Sequence, residues 1–189
     1  MLQFALWLQA TDFFTYLRSS AFVYPIILST HLLGIALFGG MVMLCDLRLL
    51  GIVMKQRKVS DLLDQLRVAK RIGLCLIVTC GVLLAGSKAE EYYYNAFFRV
   101  KLTLLLCVAL HALIFQKSVY GNTQALDASA KMPGTAKLAA GLSLLLWTGL
   151  VICGRGIGYI EPPLDLLHAR HANSPILQAH AASPMSYSK

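Results

Sequence analysis

Apolar residues in this chain are gathered into four long blocks, divided by short polar segments. The blocks run from about Ala21 to Leu44, Ile72 to Ser87, Phe97 to Val119 and Ala136 to Tyr159. A helix rises 1.5 Å per residue, so about 20 apolar residues cross a hydrocarbon core roughly 30 Å thick. Each block is therefore expected to span a membrane. The second is the shortest, and is expected to continue into Tyr92-Tyr93-Tyr94, an aromatic belt suited to the headgroup boundary. Pro25 falls in the first turns of the first span, where a missing backbone N–H is tolerated. Asp46 and Arg48 close that span and read as boundary anchors.

The polar segments carry a weaker helical period. In residues 2–18, Leu2, Leu6, Ala10, Phe13 and Leu17 recur at steps of four or three. They form one apolar stripe, with Gln3, Asp12, Thr15 and Arg18 away from it. This predicts an interfacial helix, with Trp7 and Tyr16 at the boundary. In the connector from Gly51 to Arg71, Val59, Leu62, Leu63 and Leu66 predict an amphipathic helix with Ser60 as its N-cap. The expected fold is all-α. It is an integral membrane four-helix bundle with an N-terminal interfacial helix (residues 1–19), a membrane domain (20–160) that includes an amphipathic cytoplasmic connector helix, and a polar tail (161–189). Small residues should carry the helix contacts: Ala36 with Gly40, Gly81 with Ala85, and Gly141, Gly149, Gly154, Gly156 and Gly158 in the fourth span.

Composition agrees with lipid as the solvent. The chain is 57% hydrophobic and 14% charged, where soluble domains carry about 25% charged residues. The net charge of +8 accompanies no nucleic-acid motif. It is better read as orientation. If the faces alternate, ten basic residues lie on one side and seven on the other, and the densest group is Lys55 to Arg71. That predicts a bacterial inner-membrane protein with this connector in the cytoplasm and both termini in the periplasm. The N-terminus lacks the basic region of a cleaved signal. Five cysteines, all in apolar stretches and with no CxxC pair, argue for small buried hydrophobes rather than disulfides or zinc.

Candidate chemistry is sparse. His31 lies ten residues beyond Ala21, about 15 Å deep, and His111 thirteen beyond Phe98, about 20 Å deep from the same face. Both are thus expected near the middle of the membrane, where ionisable groups are costly and point to function. Two imidazoles on separate helices suit the axial positions of haem b, and Gly34 would leave room for the macrocycle. Hydrogen bonding between helices and proton transfer are the other readings. Arg155, between glycines near the end of the fourth span, suits a haem propionate or snorkels to the headgroups; Arg99 and Lys101 favour snorkelling. Glu90, Glu91 and Glu161 are its other possible partners. His168 and His171 are a weak metal pair. No nucleophile–base arrangement or intramembrane carboxylate pair is evident.

The segment Thr30-His31-Leu32-Leu33-Gly34-Ile35-Ala36-Leu37-Phe38-Gly39-Gly40 resembles the first-helix pattern of bacterial membrane proteins related to copper-resistance protein D and transmembrane cytochrome b subunits. With Asp46-Leu47-Arg48-Leu49-Leu50-Gly51, Lys101-Leu102, Leu146-Trp147 and Gly154-Arg155, the chain to about Tyr159 more closely resembles an uncharacterised family of four-helix inner-membrane proteins. The resemblance implies four helices and a membrane role, and haem only by analogy through His31. The leading expectation is a haem-b subunit passing electrons, between a periplasmic redox protein and quinone. Its ligands would be His31 and His111, with Gly34 and Arg155 serving the cofactor. A cofactor-free structural or assembly subunit of a larger membrane complex is the rival, then copper or small-solute transport.

Overall fold

A computed structural model describes residues 2–115, 117, 119, 121, 123–128, 132–160 and 162–163. Nearly all of the polar tail, with Glu161, His168 and His171, lies outside them. The elements are α1 (Leu2–Gln9), α2 (Asp12–Ser19), α3 (Val23–Leu49), α4 (Val59–Ser87), α5 (Ala89–Tyr94), α6 (Ala96–Phe115), α7 (Thr123–Ala128) and α8 (Gly134–Ile157). Helices α3, α4, α6 and α8 are long and apolar enough to cross a membrane. The protein is an all-α, multi-pass membrane protein, as the four blocks predict.

The element boundaries differ from expectation in three places. The N-terminal segment is two helices, because Thr11 takes an extended backbone and Asp12 opens a fresh first turn, where a carboxylate suits the helix dipole. The connector helix and the second span are one 29-residue helix, α4. It stops at Lys88, whose non-helical backbone sets the Tyr92-Tyr93-Tyr94 turn off as the separate helix α5. The first span runs past Asp46 and Arg48 to Leu49, so both residues are helical and inside the fold.

Packing among the described residues joins α4 to α3, α3 to α8 and α8 to α6. Small residues set these contacts. A Cβ on Gly34 would lie 2.8 Å from Leu76, and one on Gly73 would lie 3.2 Å from Phe38. On the other side of the bundle, a Cβ on Gly149 would lie 3.2 Å from Leu104 and one on Gly156 2.6 Å from Phe97. Midway, Phe38 and Trp147 meet edge to face with ring centroids 5.4 Å apart. The tightest core is at the connector end. There Leu49, Val59, Val119, Leu126, Ala136, Ala139 and Ala140 form one buried cluster.

Polar side chains fix both ends. Asp127 of α7 accepts the Val59 and Ser60 N–H groups at 2.6 and 3.2 Å, so α4 is capped by a carboxylate from a distant element rather than by Ser60. Arg48 donates from Nε to the Arg57 carbonyl at 2.9 Å and from Nη2 to that of Lys55 at 3.4 Å, holding the connector. At the opposite, N-terminal end, Asn95 accepts the Phe98 N–H at 3.2 Å as a helix cap and donates to the Ile160 carbonyl at 2.8 Å. Asn95 thereby ties the start of α6 to the end of α8.

Candidate functional site

The two histidines lie at different levels. His111 is buried at the connector end, and its Nε2 is 2.9 Å from the Ala139 carbonyl oxygen of α8. His31 packs on α4, where Cε1 would lie 3.1 Å from a Cβ on Gly81. Phe38 of α3 is level with Trp147 of α8. Seven residues toward the N-terminal end on each antiparallel helix are His31 and Gly154. Gly154 in turn faces the Lys101 Nζ, 3.7 Å from where its Cβ would be. His31 is therefore level with Lys101, ten residues from His111 along α6, or about 15 Å.

This corrects the expectation of matching depth. Two nitrogens flanking one iron must lie about 4 Å apart, twice a metal–imidazole bond. His31 and His111 do not meet that condition. The space expected beside Gly34 is filled by Leu76 and Ile77, so that glycine serves helix approach. Arg155 is exposed, donates from Nη2 to the Tyr159 hydroxyl at 2.9 Å and lies over that ring. It is held at the boundary by its own helix. The four residues expected to serve haem b thus lie in separate surroundings: His31 on α4, His111 on α8, Gly34 against Leu76 and Arg155 on Tyr159.

The structure instead builds two polar clusters on either side of the Phe38–Trp147 contact. Toward the connector end, Asp46 is 1% exposed, and neither carboxylate oxygen has a hydrogen-bond partner among the described residues. The Ser143 hydroxyl and the Lys70 ammonium face it outside hydrogen-bonding geometry. Lys70 Nζ lies 3.8 Å from Cys45 Sγ. Arg48 is also buried, at 7% exposure. Both residues of this pair are buried, where boundary anchors were expected. The only available signal was the charged pair's place next to an apolar block.

Toward the N-terminal end, His31 of α3 packs over Gly81 of α4, and the Lys101 Nζ of α6 lies beside Gly154 of α8. His31 Nδ1 is buried with no hydrogen bond among the described residues, although the Ile77 main chain faces the ring. The Lys101 Nζ, expected to snorkel, lies 3.7 Å from where a Cβ on Gly154 would be. Among the described residues no group of three or more His, Cys, Asp or Glu side chains is placed to hold a metal.

Residues 4–160 match the model of a family of unknown function, DUF6644. The chain belongs to that family. The match takes in all four spans and both polar clusters. No curated protein and no solved structure matches the chain.

Proposed function

We propose that this DUF6644 protein handles protons inside the membrane, with Asp46 as the group that is loaded and unloaded. The observation that carries this reading is a fully buried carboxylate in a spanning helix with no hydrogen bond to either oxygen among the described residues. A bare charge there costs several kcal/mol. Asp46 is stable only when a proton or the nearby Lys70 ammonium neutralises it, and such a group changes state with its occupant. Lys70 is half-buried and connects the carboxylate to the connector end. Ser143 supplies a hydroxyl that can donate or accept. The Phe38–Trp147 contact separates this cluster from His31 and Lys101 and would limit leakage across the whole membrane. By the excess of basic residues, the connector faces the bacterial cytoplasm. The same reading suits a chain that works alone or as a cofactor-free subunit of a larger complex.

Reconstitution into liposomes containing a pH-sensitive dye tests this. Wild-type protein should dissipate an imposed pH gradient faster than protein-free liposomes, Asp46→Asn should bring the rate to the protein-free value, and Ser143→Ala should lower it. Equal rates for wild type and Asp46→Asn would refute the role of Asp46. The visible spectrum of the purified protein is the second check. A Soret band that shifts on dithionite reduction would restore electron transfer as the reading, with ligands other than the His31–His111 pair.

A further inference from the structure

We propose that Lys70 is the counter-cation that replaces the Asp46 proton, moving between a parked position on the Cys45 thiol and the carboxylate. This deepens the proton reading of Asp46 and rests on it.

The argument starts from which acceptor the ammonium has taken. Cys45 and Asp46 are consecutive residues near the end of α3, and both are buried, at 5% and 1% exposure. Their Cα atoms are about 3.8 Å apart, as across any trans peptide. Lys70 reaches them from α4, with its Nζ 3.8 Å from Cys45 Sγ. That thiol is the hydrogen-bond partner of the ammonium among the described residues. Both Asp46 oxygens meanwhile have no hydrogen bond among the described residues. The ammonium is thus bonded to the poorer acceptor, with a bare carboxyl on the next residue.

That choice of partner reports the proton. A thiol sulfur is a weak acceptor. A bond from an ammonium to a carboxylate is charge-assisted and much stronger. Were Asp46 ionised, an ammonium beside the preceding residue would close on it, because a bare buried charge is costly. Lys70 is half-buried, and a flexible four-carbon stem does not hold the head back. The ammonium stays on Cys45 because the carboxyl is protonated and needs no cation. The structure is therefore the loaded state.

Unloading then has two parts. The carboxyl O–H bond breaks, its electron pair stays on Asp46, and the proton passes to water at the connector end. Lys70 keeps all three of its own protons, leaves Cys45 and pairs with the carboxylate, so the ion left behind is never bare. Reloading reverses both moves. The neighbouring arginines are engaged elsewhere. Arg48, two residues along α3, holds the carbonyls of Arg57 and Lys55. Arg67 pairs with Asp64, and Arg71 is exposed on α4. From α8 the group facing Asp46 is the uncharged Ser143 hydroxyl.

Infrared spectroscopy of the full chain in liposomes, read beside the dye assay, tests this. The carbonyl-stretch band of the protonated Asp46 carboxyl is assigned by its loss in Asp46→Asn, and in wild type it should disappear as pH is raised. Lys70→Gln removes the replacement cation. The band should then persist to a pH about one unit higher, a roughly tenfold change in proton occupancy, and proton flux should fall by a similar factor. Cys45→Ala removes the parked position and leaves the ammonium to the carboxylate, so the band should vanish at a lower pH than in wild type. Loss of packing alone does not displace the band in opposite directions. If Asp46→Asn abolishes flux while Lys70→Gln titrates and conducts like wild type, the exchange is overturned and the proton reading stands. If Asp46→Asn conducts like wild type, the proton reading falls and the exchange with it. A wild-type band missing at every pH would mean a permanent Asp46–Lys70 pair and would also overturn the exchange. Should Lys70→Gln not fold, an unchanged band in Cys45→Ala would overturn the proposal.

Discussion

His111 Nε2 and the Ala139 carbonyl oxygen lie 2.9 Å apart and tie α6 to α8 near the connector end. Ala139 has no exposed surface, which lets the imidazole reach the α8 backbone. The carbonyl accepts, so Nε2 carries the proton in this contact. Hydrogen bonds between membrane helices contribute about 0.6 kcal/mol on average and up to about 1.7. His111→Ala also removes a buried ring and leaves a void. The expected loss of unfolding free energy is about 1–3 kcal/mol, measured by denaturant titration in mixed micelles. No change would show that the contact contributes nothing. Proton flux in liposomes should be unaffected by this substitution.

Asp127 caps α4 from α7, and this contact should make stability depend on pH. Partial burial alone would push its carboxyl up. The Ser60 hydroxyl and the Val59 and Ser60 amides outweigh that and hold it below the ordinary carboxylate range. A carboxyl lowered in the folded state contributes stability above its unfolded value, near 3.9. That contribution is lost as pH falls through the folded value. Asp127→Asn should therefore cost about 0.5–1 kcal/mol at pH 7, the low part of the range for side-chain caps, since the group is partly solvated. The difference from wild type should shrink below pH 4. A gap that stays constant down to pH 3 would mean the charge is not what matters.

The spans were legible because a run of some 20 apolar residues has few other stable environments. The levels of residues between spans were not. Counting along each block assumed that α3 and α6 begin at one depth. In the structure His31 and Lys101 are level although eight and five residues from their helix starts, so α6 begins about three residues deeper. Helix α5 and the Asn95 cap occupy the intervening height, and Asn95 is 3% exposed because of its contact with Ile160. Nothing local to Asn95 announces a partner 65 residues away. Asp46 and Arg48 were opaque for the same reason. Their positions beside an apolar block suit an anchor, and only the packing of α8 and the fold of the connector bury them.

Arg48 should control the order of the connector. Its guanidinium holds the carbonyls of Arg57 and Lys55, and it also lies near Asp127. Arg48→Lys keeps the charge but loses the planar fork that reaches both carbonyls. Amide hydrogen exchange in residues 50–58 should accelerate at least tenfold in Arg48→Lys, with exchange in the interior of α8 unchanged. Uniform acceleration through all spans would indicate general destabilisation instead.

Gly86 and Phe14 offer a test of how α2 is seated. A Cβ on Gly86 would fall in steric overlap with the Phe14 ring, and the Arg18 guanidinium donates to the neighbouring Ser87 carbonyl at 3.1 Å. The ring therefore rests against the end of α4 only because residue 86 has no side chain. Gly86→Ala must push the ring aside, and overpacking of this kind costs about 1–3 kcal/mol. The penalty should fall mostly on the docking of α2, so proteolysis near residues 10–20 should rise before the spans unfold. Phe14→Ala removes the obstacle. In the double variant the cost of Gly86→Ala should then nearly vanish, a non-additivity that identifies direct contact. Simple addition of the two single effects would mean that Phe14 does not rest on Gly86, and that α2 is held by Arg18 and Leu17 alone.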